Sequence, residues 1–352
     1  MKRYIVLLLV GILALSLVGC GGSKSSAPAV KESAAVVKPI VLKFGTHLTE
    51  KHNLTINAVL PWMKRVTELT NGQVTFEHYP NSQMGKAADT YKLVASGALD
   101  IGYTLYMEDT LPLTDLPMLP NLYKDPAAAT NAYWEVLNQP PFADYLIKAN
   151  LKPIMAVVWE PYTIATVKTK PETMADFAKL KLRSSGGLHD QAAAALGITP
   201  ISISASESLE ALRKGTVDGY WGSTTSWLDY QFTQVLKYGV SNLPLNGWGG
   251  IFSMNLKVYN SLPDNVKKAI DTANKEMNAS LGQYVKDYCT QAWTEAEKAG
   301  VEIYKVNDDV VKEVKVKLEP ITKAWLDKQD AANYPATEVY KQFQQSYIKY
   351  SK

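Results

Sequence analysis

The sequence predicts an α/β fold built in two lobes, and three observations predict it. Short apolar strands alternate with helical stretches along most of the chain. The 352 residues exceed what one ordinary domain needs. One amphipathic helix in the last third is far longer than the rest. Strand–helix alternation of this kind argues for parallel sheets flanked by helices.

The elements follow in order. Val41 to Gly45 reads as a strand, and residues 54–69 as a helix stopped at Thr70-Asn71-Gly72, where Asn or Gly takes a left-handed cap. Residues 74–79 alternate as a strand closed by Pro80-Asn81-Ser82. A helix over 87–95 turns at Gly97 into a third strand. Further strands are expected at 152–158, 164–168, 181–183 and 217–220. A helix over 188–196 is closed by Gly197, and Ser204 with Glu207 has capping-box spacing for a helix through Arg213. From 263 to 299 the apolar positions Val266, Ile270, Ala273, Met277 and Leu281 recur at spacings of three and four, the signature of one continuous helix. Two more helices are expected at 310–331 and 336–347.

The N-terminus carries an address. Lys2 and Arg3 precede an apolar run from Ile5 to Leu17, which is an export signal and too short for a comfortable membrane span. The run ends in Leu17-Val18-Gly19-Cys20, which fits a lipobox, so residues 1–19 are expected to be removed and Cys20 to be lipidated. Residues 20–39, rich in Gly, Ser, Ala, Lys and Pro, read as a flexible tether. The other cysteine, Cys289, then has no disulfide partner and is expected to be buried as a small apolar side chain.

Composition narrows the function. The 37 Lys and Arg nearly balance 34 Asp and Glu, and no basic stripe interleaved with aromatics occurs, so nucleic acid is not expected as a partner. His47, His52, His78 and His189 form no paired metal motif, and a phosphate-cradling loop and a Gly-x-Ser-x-Gly elbow are both missing. No cofactor, no metal and no catalytic pair is expected. Gly186-Gly187, after Arg183 at a strand-to-helix junction, is a weak anion signal.

Several segments together resemble the solute-binding proteins of TRAP transporters. Glu68 to Val74 and Tyr79 to Gly85 match the family's "T-G-G-x-V … P-x-x-Q-L-G" region, followed by Ser96-Gly97-Ala98-Leu99-Asp100. Leu116-Pro117 fits the "L-P" loop. Lys179 to Arg183 resembles "G-L-K-x-R", with Lys179 in place of the usual Gly, and Glu207 to Gly219 matches "E-x-x-x-A-L-x-x-G-x-V-D-G". Met254 to Lys257 and Ser261-Leu262-Pro263 complete the set, which spans nearly everything after the tether.

The resemblance implies a two-lobe, periplasmic-binding-protein-like α/β fold with crossing strands and a long helix spanning both lobes. Residues 40–160 and 249–288 would form lobe I, and 161–248 with 289–352 lobe II. It implies a monomeric, extracytoplasmic receptor, held to the membrane through its lipid, that closes over a small organic acid and hands it to a small and a large integral-membrane subunit. Arg183 matches the family's carboxylate-binding arginine, a task suited to a planar guanidinium. Two departures stand out. Thr163 occupies the place of a second arginine, and Gly222 the place of an amide after Asp218-Gly219, while Trp221 brings an indole. The loss of two polar anchors favours a monocarboxylate with an apolar or aromatic body. Trp221 is the best cleft tryptophan, ahead of Trp159, Trp227 and Trp248, and Tyr106, Tyr162 and His47 are the polar tips expected to reach ligand. Competing readings are the binding component of another importer, a sensor's ligand-capture protein for C4-dicarboxylates or sugar acids, and an extracellular enzyme.

Overall fold

The computed structural model of the protein describes residues 38–105 and 110–352. The export signal, Cys20, most of the tether and Tyr106 lie outside the described residues.

Eleven strands appear in chain order: β1 Ile40–Gly45, β2 Val74–Tyr79, β3 Ile101–Thr104, β4 Leu151–Val158, β5 Thr163–Thr166, β6 Lys181–Ser184, β7 Thr199–Ser202, β8 Gly219–Gly222, β9 Tyr238–Val240, β10 Gly249–Asn255 and β11 Glu302–Tyr304, counted among the described residues. They form a five-stranded sheet, β2-β1-β3-β10-β4, and a six-stranded sheet, β11-β9-β5-β8-β6-β7. The chain leaves the first sheet after β4, enters the second as β5, and returns after β9 to form β10. These two crossing segments bond to each other, Trp159 N–H to Trp248 O at 2.9 Å and Tyr162 N–H to Asn246 O at 2.9 Å.

The sheets are mixed where alternation alone predicts parallel ones. β10 runs antiparallel to both β3 and β4, and β5 antiparallel to β8 and β9. The crossings are the reason. A strand that enters a sheet from the crossing must run against its neighbours that end there. One consequence is that β1, β3, β4, β6 and β8 all finish at the junction between the sheets, and ligands of open α/β sheets bind outside such carboxyl ends.

The long helix is one element, Asp264–Lys298. It covers the exposed edge of the first sheet: Asn278 accepts from Ala156 N–H at 3.0 Å and donates to Ile154 O at 3.0 Å, so edge strand β4 presents fewer open backbone groups. Gly282 lets this helix close on the helix Pro126–Leu137, because a Cβ there would stand 2.8 Å from Ala127 O. Trp62, fully buried, bonds the same helix through Asn274 at 2.8 Å. Cys289 is a free, buried thiol on it. The C-terminal helix Ala336–Tyr350, which chain order groups with the second lobe, instead packs on Pro126–Leu137, with Lys349 bonded to Glu135 at 2.7 Å.

Local chemistry explains several boundaries. The first helix opens as a π-helical turn, Thr55–Val59, before the α-helix Leu60–Leu69, since Pro61 has no N–H to give back into that turn. It stops as expected, with Asn71 and Gly72 at φ 50° and 80°. β8 begins two residues later than the sequence suggests because Asp218 is spent as a fastener, its carboxylate accepting Lys181 N–H at 2.8 Å. Asp100 does the same for Lys43 N–H, at 2.7 Å, ahead of β3. At the helix Ala205–Lys214, Ser204 is the N-cap, but its hydroxyl bonds the Glu207 carboxylate and no backbone N–H, so the reciprocal box is not formed.

Candidate functional site

A cavity of about 90 Å³ lies at the junction of the sheets. The first sheet contributes His47 and His52 after β1, and Tyr103 and Leu105 at the end of β3. The second contributes Arg183 and Ser185 at the end of β6, Tyr220 and Ser223 around β8, and Asp229 and Tyr230 beyond it. Trp159, Tyr162 and Trp248 come from the crossings. Ligand pockets for drug-sized molecules run to about 300–1,000 Å³, so the space suits a small ligand.

Arg183 is 3 % exposed, yet no carboxylate among the described residues pairs with it. Its guanidinium is held by neutral groups. Nε donates to Ile203 O at 2.7 Å, and Nη1 reaches Ser185 Oγ at 3.2 Å and Trp221 O at 3.4 Å. The Tyr220 ring lies beneath it at 4.8 Å. Nη2 has no hydrogen-bond partner among the described residues. A buried charge left unpaired is costly, so this arrangement is poised for an anion. Because Nε is already used, the open donors lie at the Nη2 end of the fork.

Burial sets the charge of the other groups. His47 is pushed down to about 4 by burial and by its neighbour His52, and His52 to about 4 by burial. Both imidazoles are therefore neutral at pH 7. His52 Nδ1 accepts from Leu54 N–H at 3.1 Å, so the proton sits on Nε2. That Nε2 lies 3.9 Å from Asp229 Oδ2, a separation that alone would suggest an ion pair. Burial, which also raises the Asp229 carboxyl, argues for a neutral imidazole beside it. Asp229 accepts from Asn53 Nδ2 at 2.7 Å and Tyr288 O–H at 2.7 Å, tying the first sheet's loop and the long helix to the second sheet.

The remaining expected residues fall in different places. Tyr162 lines the cavity and stacks on His189 at 4.8 Å. Trp221 does not line it. That indole is fully buried, bonded through Nε1 to Asn246 Oδ1 at 3.3 Å, and only its backbone carbonyl meets Arg183. Trp159 and Trp248 supply the cavity's indoles instead, and Trp227 is fully buried against Trp293 at 5.4 Å. Thr163 bonds Val240 O and faces a separate pocket of about 410 Å³ that includes Glu160 and Trp293. Gly222 pairs with Thr163 across β5 and β8. A Cβ at Gly222 would stand 2.2 Å from the Tyr220 ring, so the missing side chain makes room for the ring under Arg183. Sequence reasoning missed Tyr220, His52 and Asp229.

Beside the site, Glu160 occupies the first crossing. Its carboxyl accepts from Trp293 Nε1 at 3.0 Å and from Thr224, and burial pushes it up to about 8. Among the described residues no cluster of three or more His, Cys, Asp or Glu could hold a metal ion, and no helix is long and apolar enough to cross a membrane.

Known proteins resemble this chain in sequence and in fold. The chain is 27 % identical over 307 residues to the C4-dicarboxylate-binding periplasmic protein DctP of Rhodobacter capsulatus, covering 85 % of this chain and 86 % of the relative. Its fold superposes with a TM-score of 0.81 on a TRAP solute-binding protein from an unidentified marine microbe, specific for aromatic acids and crystallised with 3-hydroxybenzoate. That protein is 25 % identical, with 90 % of this chain and 100 % of that one covered. A TRAP solute-binding protein of Rhodoferax ferrireducens, with copurified benzoate, gives a TM-score of 0.80 at 22 % identity over 89 % of this chain and 98 % of that one. Residues 44–329 match the bacterial extracellular solute-binding proteins of family 7, known as DctP, and the chain belongs to that family.

Proposed function

We propose that this protein is the extracytoplasmic receptor of a TRAP-type transporter, capturing a monocarboxylate with an aromatic or apolar body and delivering it to a small and a large membrane subunit. The carrying observation is the buried Arg183 guanidinium that no acidic side chain among the described residues offsets. The ligand's carboxylate supplies the missing charge. Around it the cavity is flat-sided, with Tyr103, Trp159, Tyr162, Tyr220, Tyr230 and Trp248 on its walls. An aromatic contact of good geometry adds about 0.5–1.5 kcal/mol beyond area burial.

A C4-dicarboxylate, the ligand in the name of the Rhodobacter relative, fits the charges less well. Among the described residues the cavity offers one cation, two neutral imidazoles and the Asp229 carboxyl, so a second carboxylate meets no cation among them. An unpaired buried polar group costs about 1–3 kcal/mol. Calorimetry with benzoate, phenylacetate, succinate, malate and a uronic acid tests the reading. Micromolar or tighter binding of an aromatic acid, at least tenfold ahead of every diacid and sugar acid, is expected. Tighter binding of succinate, malate or the uronic acid would overturn it.

Cys20 is proposed as the lipidated mature N-terminus, supported by the export signal and by Leu17-Val18-Gly19-Cys20. A single acyl chain anchors weakly and two chains stably, so a diacylated cysteine holds the receptor at the membrane. In the Cys20→Ala variant the protein should leave the membrane fraction or stay unprocessed. Wild-type processing with retention in that fraction would count against the anchor.

A further inference from the structure

We propose that the first sheet's wall of the cavity recognises an uncharged hydroxyl on the acid's ring, with His47 as the hydrogen-bond partner. This rests on the reading of the cavity as a monocarboxylate site and adds what selects among such acids.

His47 follows β1, while Arg183 ends β6 in the other sheet, and both line the same cavity. The imidazole is held in one plane: it stacks on Tyr103 at 5.6 Å and 9°, and Tyr103 stacks on Phe252 at 4.2 Å and 11°. Its nitrogens therefore point in fixed directions before any ligand arrives, which is the economy of a preorganised site. Neither nitrogen has a hydrogen-bond partner among the described residues, and Nδ1 is wholly buried. Buried polar atoms almost always find partners, so an orphan on a cavity wall asks for a functional explanation. His52 beside it does not share this property, since its Nδ1 is taken by Leu54 N–H.

The chemistry of the missing partner follows from charge. Burial and the neighbouring His52 keep His47 neutral, so it offers one donor and one acceptor and cannot balance an anion. Asp229, 3.9 Å from His52, further disfavours a second carboxylate at this end. A hydroxyl also carries one donor and two acceptor lone pairs, and matches a neutral imidazole in either tautomer. Leu48, Leu54 and Leu105 supply the apolar part of this wall.

The test is calorimetric titration of the full-length wild-type protein and of His47→Phe with benzoate, 3-hydroxybenzoate and 4-hydroxybenzoate. Phenylalanine keeps a flat ring on Tyr103 and removes both nitrogens. At least one hydroxy acid should bind wild type about 2- to 13-fold tighter than benzoate, the span of one net neutral hydrogen bond. In His47→Phe that preference, the ratio of hydroxy-acid to benzoate affinity, should fall to about one, because the hydroxy acid loses more affinity than benzoate does. His47→Gln, which restores a donor and an acceptor, should recover part of it. Equal wild-type affinities for all three acids overturn the hydroxyl site while the monocarboxylate reading stands. A preference that survives in His47→Phe overturns the role of His47. Binding of none of the three overturns both.

Discussion

The Arg183→Ala protein is expected to lose about 2–5 kcal/mol of affinity for its acid, the range for truncating one partner of a buried charge pair. That is roughly 30- to 5,000-fold in Kd, enough to take a micromolar ligand out of reach of most titrations. Arg183→Lys should also weaken binding, because an ammonium is a point charge and cannot take over the bonds that aim the guanidinium through Ile203 O and Ser185 Oγ. The same substitution should behave differently toward stability. Among the described residues this charge has no acidic partner, and an uncompensated buried charge opposes folding. Removing it should leave the ligand-free Tm unchanged or raise it, while the ligand-induced rise in Tm disappears. Affinity within twofold of wild type for Arg183→Ala, measured by calorimetry, would rule out the role.

Much of this architecture was legible, and the failures have physical causes. The long helix was legible because Val266, Ile270, Ala273 and Leu281 keep one face apolar, and all four are buried. The position of Arg183, at the end of a strand that meets the cavity, was legible because that strand carries a recognisable motif. The antiparallel placement of β10 was not, since it depends on where the chain re-enters the first sheet, which no local pattern encodes. His52 and Asp229 meet across the sheets from distant positions, each with unremarkable neighbours. The strand Gly219–Gly222 is the most instructive case. Alternation says that Tyr220 and Gly222 share one face and Trp221 takes the other, but all four residues of the strand are buried, so polarity does not mark the cavity side. The pairing of Arg183 with Tyr220 between β6 and β8 settles it, and that is a register, not a motif.

Trp221→Ala is therefore expected to act on the fold and not directly on the ligand. The indole is fully buried, its Nε1 bonds Asn246 Oδ1, and its strand position pairs with Ile164 on β5. Truncating a buried tryptophan costs about 3–5 kcal/mol through lost transfer energy and the cavity left behind. Asn246, whose Nδ2 already lacks a partner among the described residues, would lose its remaining side-chain bond. Against a total stability of about 5–15 kcal/mol, such a change should move the urea midpoint by a large fraction of its wild-type value. Trp248→Ala should show the reverse balance. That ring lines the cavity, retains 7 % exposure and lies 5.8 Å from His189, so its removal should cost more in ligand affinity than in folding. Urea unfolding and calorimetry on the two variants separate the roles, because a tryptophan that serves as a ligand platform loses affinity first and one that serves as core loses stability first. If Trp221→Ala unfolds at the wild-type urea concentration yet binds poorly, its indole belongs to the ligand site and the assignment of the cavity wall to Trp159 and Trp248 fails.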